Sequence, residues 1–177
     1  MLNPNMKEEG EDLRDHLVKK YGPRGAAMVD DPDNHLMQSG RAVGINFTSN
    51  RKIYPTVKAH ALMEYLKEQG ENTKANQLME LMFKDYFEKA ENINSIDHLQ
   101  TLAERVGVEA TAARAAMENE DFLAQVRAKD MLAKTRMRVS GVPFFIVESN
   151  TEGQRPTAFS GAQPAEIIAE VLEEAAS

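Results

Sequence analysis

Apolar positions recur at three- and four-residue spacing through most of this chain, then give way to a block of consecutive apolar residues near its end. The first spacing is that of helices with one buried face, and the block is that of a short strand. A first helix is expected from about Glu9 to Lys20, with Leu13 and Leu17 on one face. Its acidic start and its Lys19-Lys20 end suit the helix dipole, and Gly22-Pro23 stops it. Arg24 to Val29 is expected to form a short turn of helix, and Asp33 to cap a helix ending near Arg41. Gly44-Ile45-Asn46-Phe47 reads as an extended connection and Thr48-Ser49-Asn50 as a turn.

Tyr54-Pro55 is expected to open the next helix, with Val57, Ala61, Leu62, Tyr65 and Leu66 inward and Gly70 at its close. Asn72 or Thr73 caps a helix to about Lys89, whose wide face carries Leu78, Met79, Met82, Phe83, Tyr86 and Phe87. Ser95 caps a third, with Ile96, Leu99, Leu102, Ala103 and Val106 inward and Gly107 at its end. Glu109 to Met117 and Asp121 to about Arg136 complete five helical elements that read as one compact subdomain. After a Ser140-Gly141 bend, Val142 to Val147 is an apolar run. Its β-branched and aromatic content reads as a fully buried strand headed by a proline. A polar stretch from Glu148 to Pro156 follows. The extended piece Thr157-Ala158-Phe159-Ser160, Gly161, and a helix from Pro164 to about Ala175 end the chain.

Composition narrows the chemistry. The 177 residues are 42% hydrophobic and carry a formal net charge of -7, from 28 acidic and 21 basic residues. That allows a core and argues against a nucleic-acid partner. No apolar run approaches membrane-spanning length, and Met1 to Glu9 lacks the basic and apolar regions of a secretory signal, so a cytoplasmic location is expected. There is no cysteine, so no residue of this chain can form a disulfide, attack as a thiolate or bind metal through sulfur. His16, His35, His60 and His98 show no metal-ligand spacing. The ten methionines read as core filler. The basic residues Arg127, Lys129, Lys134, Arg136 and Arg138 read as a solvated face. Neither a serine nucleophile elbow nor a phosphate loop is found. No cofactor and no catalytic residue is assigned.

Two motifs carry a resemblance. Ser140-Gly141-Val142-Pro143-Phe144-Phe145, followed by Phe159-Ser160-Gly161-Ala162-Gln163-Pro164, resembles the C-terminal end of DsbA-family thioredoxin-like proteins. The similarity is strongest to the FrnE-like branch of the 2-hydroxychromene-2-carboxylate isomerase and dithiol-disulfide isomerase superfamily. Leu2-Asn3-Pro4-Asn5-Met6, Gly10 to Leu13 and Tyr21-Gly22-Pro23 resemble the segment after that branch's second strand. The resemblance therefore covers nearly the whole chain but begins after the family's Cys-x-x-Cys loop. A late gene start, a truncation and a real divergence all fit that pattern.

The resemblance implies an α/β, helix-rich protein: a partial thioredoxin-like fold (C-terminal β-hairpin plus helix) with a DsbA-type helical insertion. Residues 1–53 would be a remnant of the first thioredoxin half with connecting helices. Residues 54–137 would be the insertion, and 138–177 a ββα unit with a cis Val142–Pro143 peptide. It also implies a substrate edge at Gly141, Val142 and Pro143, where the backbone of Val142 meets an extended peptide by strand addition. Ser160 and Gly161 would lie close to a ligand. The Asp-Arg pair with which glutathione-binding relatives grip glutathione near this turn is replaced by Ala162-Gln163-Pro164. That argues against a glutathione-dependent isomerase or kappa-class transferase, and a plain helix start is expected there. Tyr54 to Leu62 resembles the family's Pro-Asn-Thr-x-x-Ala-His-Arg-Leu element, with Pro55 in place of the asparagine and Ala61 in place of the arginine. His60 is placed near a ligand by that resemblance, but as a half-buried structural residue by its neighbours.

Two functions stay open. One is thiol–disulfide exchange on protein substrates, as in full-length relatives, with the cysteines absent from this chain. The other is a non-catalytic module that binds a peptide or partner. A two-stranded sheet is marginal without packing, so an apolar groove, a homodimer through the exposed core, or poor solubility is expected as well.

Overall fold

The structure is a computed structural model, and it describes residues 2–3, 6–149, 151 and 153–176. Pro4 and Asn5 of the N-terminal motif, and Asn150 and Glu152 of the polar stretch, lie outside the described residues. The chain divides into two compact units, residues 2–127 and residues 128–176.

The larger unit opens with a two-residue strand, β1 (Glu11–Asp12), and the helices α1 (Leu13–Tyr21), α2 (Pro23–Asp30) and α3 (His35–Ala42). A second short strand, β2 (Lys52–Ile53), pairs antiparallel with β1, Glu11 opposite Ile53 and Asp12 opposite Lys52. Asp12 accepts the backbone N–H groups of Arg14 and Asp15, so α1 starts later than the expected Glu9. The residues before it are held by the β1–β2 ladder instead. Gly25 lets α2 approach α1 closely, because a Cβ there would collide with the carbonyl of Leu17. Asn34, not Asp33, caps α3 by accepting the Met37 N–H at 3.1 Å.

The helices that follow supply the burial: α4 (Val57–Glu68), α5 (Asn72–Lys89), α6 (Ile96–Arg105), α7 (Ala110–Glu118) and the start of α8 (Glu120–Thr135). The first four pack in a closed ring, α4 on α5, α5 on α6, α6 on α7, and α7 back on α4. Leu62, Leu66, Leu78, Leu99, Leu102 and Met117 fill the centre, each less than 2% exposed. Their spacing along each helix is the three-and-four pattern that places side chains on one face. Ser95 caps α6 through the His98 N–H, as expected, and Glu109 caps α7 through those of Thr111 and Ala112. Tyr54 and Pro55 do not enter α4. Thr56 is its N-cap residue, and the helix begins at Val57. A smaller cluster joins Ala61 of α4 to Leu123 and Val126 of α8.

Two polar contacts tie this unit together at a distance in sequence. Glu8 accepts from Lys58 Nζ at 2.7 Å and from Asn94 Nδ2 at 2.8 Å. Those hydrogen bonds, Lys58 first, hold the Glu8 carboxyl below its ordinary value. Asp85, only 4% exposed, pairs with Lys89 one turn on at 2.6 Å and lies 3.2 Å from His98 Nε2.

The smaller unit holds the end of α8, the hairpin β3 (Phe144–Val147) and β4 (Thr157–Ser160), and α9 (Ala165–Ala176). Phe144 lies opposite Ser160, Phe145 opposite Phe159, Ile146 opposite Ala158 and Val147 opposite Thr157. Helix α9 packs on β3. The expectation of a fully buried strand over Val142–Val147 is corrected here. Val142 is 66% and Ile146 45% exposed, and Phe144, Phe145 and Val147 are half-buried. A strand is buried only when both its faces are covered, and the described residues of this unit supply one hairpin and one helix. Among its described residues only Val139 is buried.

Among the described residues no helix is long and apolar enough to cross a membrane. Leu99→Ala should destabilise the larger unit by about 2–5 kcal/mol, read as the urea midpoint shift at constant slope; a loss well under that range would contradict a close-packed centre. A carboxyl held below its ordinary value contributes stability that is present above its unfolded pKa and lost as pH falls through the folded one. Acidification below about 4.5, the ordinary Glu value, should therefore weaken the Glu8 tie. Urea midpoints across that range should fall less steeply in Glu8→Gln than in the wild type, and parallel curves would contradict the tie.

Candidate functional site

The site is built where β3 begins. The Val142–Pro143 peptide is cis, and the Gly161 N–H donates to the Pro143 carbonyl at 2.8 Å. That bond brings Gly141, Val142 and Pro143 beside Ser160 and Gly161, so the hairpin register joins two of the expected site segments. In an antiparallel pair, residues alternate between pointing both backbone groups at the partner and pointing both away. Since Pro143 faces Gly161, Phe145 and Val147 also face β4. Phe144 and Ile146 turn their N–H and C=O groups to the other edge. No described strand takes that edge. Val142 continues it: neither its N–H nor its C=O has a partner among the described residues.

Local chemistry fixes this corner. Gly161 has φ +85°, a backbone setting that any side chain would strain. The Phe145 and Phe159 rings stack across the hairpin, centroids 5.0 Å apart, at the pair that faces inward in the ladder. Gln163 Nε2 donates to the Ser160 carbonyl at 3.0 Å, and α9 starts two residues on. The turn is thus closed by the Gln163 side chain.

A family model for the DSBA-like thioredoxin domain matches residues 2–173. The chain belongs to the DsbA-like thioredoxin domain family. Its helix-rich fold, with a small C-terminal sheet, is that of the family. Among solved structures it is similar to a probable DsbA oxidoreductase from Streptomyces coelicolor, at 25% identity and a TM-score of 0.78. The match covers 97% of this chain and 70% of that one. No curated protein matches the sequence.

The other expected residues of this DsbA-family chain fall elsewhere. His60 sits on α4 in the larger unit, with its Nδ1 2.7 Å from the Thr56 carbonyl one turn back. It is exposed, not half-buried as its apolar neighbours suggested. The residue before Ala61 and Leu62 lies just off their inward face, and its ring is free to turn back to the first carbonyl of the helix. Among the described residues no cluster of His, Asp and Glu is arranged to hold a metal ion.

Sequence reasoning missed one constellation. Arg51 lies over the Tyr86 ring at 4.7 Å and the Phe87 ring at 5.1 Å, and its Nη1 donates to Tyr86 Oη at 2.6 Å. Burial pushes the Tyr86 hydroxyl up, and the Arg51 charge partly offsets it. The available signal was the aromatic row Phe83, Tyr86 and Phe87 on the wide face of α5, which packing alone would also account for.

Gly161→Ala should destabilise the hairpin by about 1–3 kcal/mol. The measurement is amide hydrogen exchange at Phe145 and Phe159, which should speed up; unchanged exchange there would contradict the role given to the Gly161 turn.

Proposed function

We propose that this chain holds an extended protein segment along the Val142–Pro143 edge, in the service of FrnE-like thiol–disulfide exchange. The observation that carries this reading is the unpaired backbone of Val142 at the open edge of β3. Its N–H would donate to a carbonyl of the incoming segment and its C=O would accept from an N–H, which adds a strand without reading side chains. Exposure of Val142 leaves that approach clear. The solved neighbour is named a probable DsbA oxidoreductase, which supports a disulfide-bearing protein as the substrate.

The exchange itself needs a thiolate that attacks one sulfur of the substrate disulfide, forms a mixed disulfide and releases the second sulfur as thiolate. With no cysteine in the 177 residues, that thiolate comes from outside them. The chain's own part is to orient the substrate backbone. The second reading, a binding module with no chemistry, uses the same edge and is favoured by the same absence of sulfur.

A test separates these claims. An eight-residue peptide of alternating valine and threonine, titrated against labelled protein, should shift amide signals at 141–146 and 160–161. The same peptide N-methylated at alternate residues should not bind, and Val142→Pro should abolish binding of the unmethylated one. Equal binding of both peptides would contradict strand addition. Insulin reduction by the chain with dithiothreitol should proceed at the background rate; turnover would contradict an external thiolate.

A further inference from the structure

In the larger unit, the helices α1, α2 and α3 and the segment 47–51 border an open pocket of about 490 Å³. Its volume lies within the usual range for small-molecule sites. Leu17, Met28, Leu36 and Phe47 are among the apolar side chains that line it. Met28 and Leu36 are 53% and 58% exposed, so two large apolar groups at the cavity are left in contact with water. The polar part of the lining includes Thr48, Ser49 and Arg51 from one short segment, with Asn34 and His35. Arg51 is held against the Tyr86 and Phe87 rings and bonded to the Tyr86 hydroxyl, and no described carboxylate pairs with it. A guanidinium has five N–H donors, and a single hydrogen bond from this one, to Tyr86, is found.

Two of the carboxylates next to the cavity are already matched. Asp30, which follows the lining residue Val29, accepts two bonds from Arg14 at 2.8 and 2.9 Å. Asp33, which precedes the lining residue Asn34, pairs with Arg41 at 2.6 Å. Arg51 is a lining cation with no acid partner among the described residues, in a protein whose net charge is -7.

We propose that this pocket binds a free medium-chain alkyl monocarboxylate, with its chain against the α1–α3 side chains and its carboxylate on Arg51. The apolar walls favour the chain by removing it from water. The guanidinium presents a planar fork that suits a carboxylate, and its stacking on Tyr86 and Phe87 fixes that fork before the ligand arrives. Thr48 and Ser49 add hydroxyl donors from the same stretch. The site lies within the larger unit and rests on none of the claims made for the Val142 edge.

The probes are sodium decanoate and decan-1-ol, measured by calorimetry and by the thermal midpoint of the whole chain. Decanoate should bind and raise the midpoint. Decan-1-ol should bind about tenfold more weakly, the difference expected for one charge-assisted contact. Arg51→Gln should remove that preference and Arg51→Lys should keep part of it. Since Arg51 also packs on α5, a second variant is needed that leaves the rings alone. Leu36→Glu places a like charge at an exposed lining position and should abolish decanoate binding while circular dichroism stays unchanged. Absence of decanoate binding, equal affinity for acid and alcohol, or full decanoate binding by Leu36→Glu would each overturn the proposal.

Discussion

The closed ring of α4, α5, α6 and α7 is the contact on which the larger unit depends. Its centre is six side chains, Leu62, Leu66, Leu78, Leu99, Leu102 and Met117, withdrawn from water almost completely. Burial of that kind is the main favourable term that offsets the entropy of ordering the chain. The segments before α4 borrow from it: the β1–β2 ladder is two residues long and would not persist alone. It is held by Glu8 on Lys58 and Asn94, and by the packing of α1 on α2. Among its described residues, the unit of 128–176 has no such centre. Its hairpin and α9 hold together through one stacked ring pair, one glycine turn and the pairing of four residues with four.

That imbalance bears on function. A strand with an open edge and a half-covered face has backbone groups to offer, and it offers them where Val142 meets Pro143. Strand addition needs little else: two backbone groups aligned with the incoming chain, and room for it. The same openness would be a liability for a structural strand, since unpaired edges recruit other strands without discrimination. Membership of the DsbA-like family gives the proposed strand addition its context, and the chain has no cysteine of its own to add to it.

Much of the larger unit was legible in the sequence because its helices announce themselves by face and by cap. Ser95 and Gly107 bracket α6 closely, and Leu62 and Leu66 stand one turn apart on the inner face of α4. The strands β1 and β2 were not legible, since two residues are too few to show an alternation of apolar and polar positions. Tyr54-Pro55 was misread because a proline suits both the first turn of a helix and the extended residues before it. The block Val142–Val147 was read as buried from its composition. Composition reports what a strand tolerates, whereas exposure depends on what covers it, and coverage comes from residues far away in sequence. The corner itself was legible through two motifs, and the register that joins Pro143 to Gly161 supplied what neither motif states alone. The Arg51 platform was hidden for the opposite reason: its rings sit 35 residues from it, on a helix whose pattern was already explained by packing.

The central claim is that burial is concentrated in the helical ring and is nearly absent from the sheet that carries the edge. Native-state amide hydrogen exchange across the chain tests it directly. The account predicts that amides of α4 to α7 exchange only as the unit unfolds. Those of Phe145, Val147 and Phe159 should exchange far faster through local opening, with Val142, Phe144 and Ile146 faster still. Protection of the β3–β4 amides equal to that of α4 to α7 would contradict it.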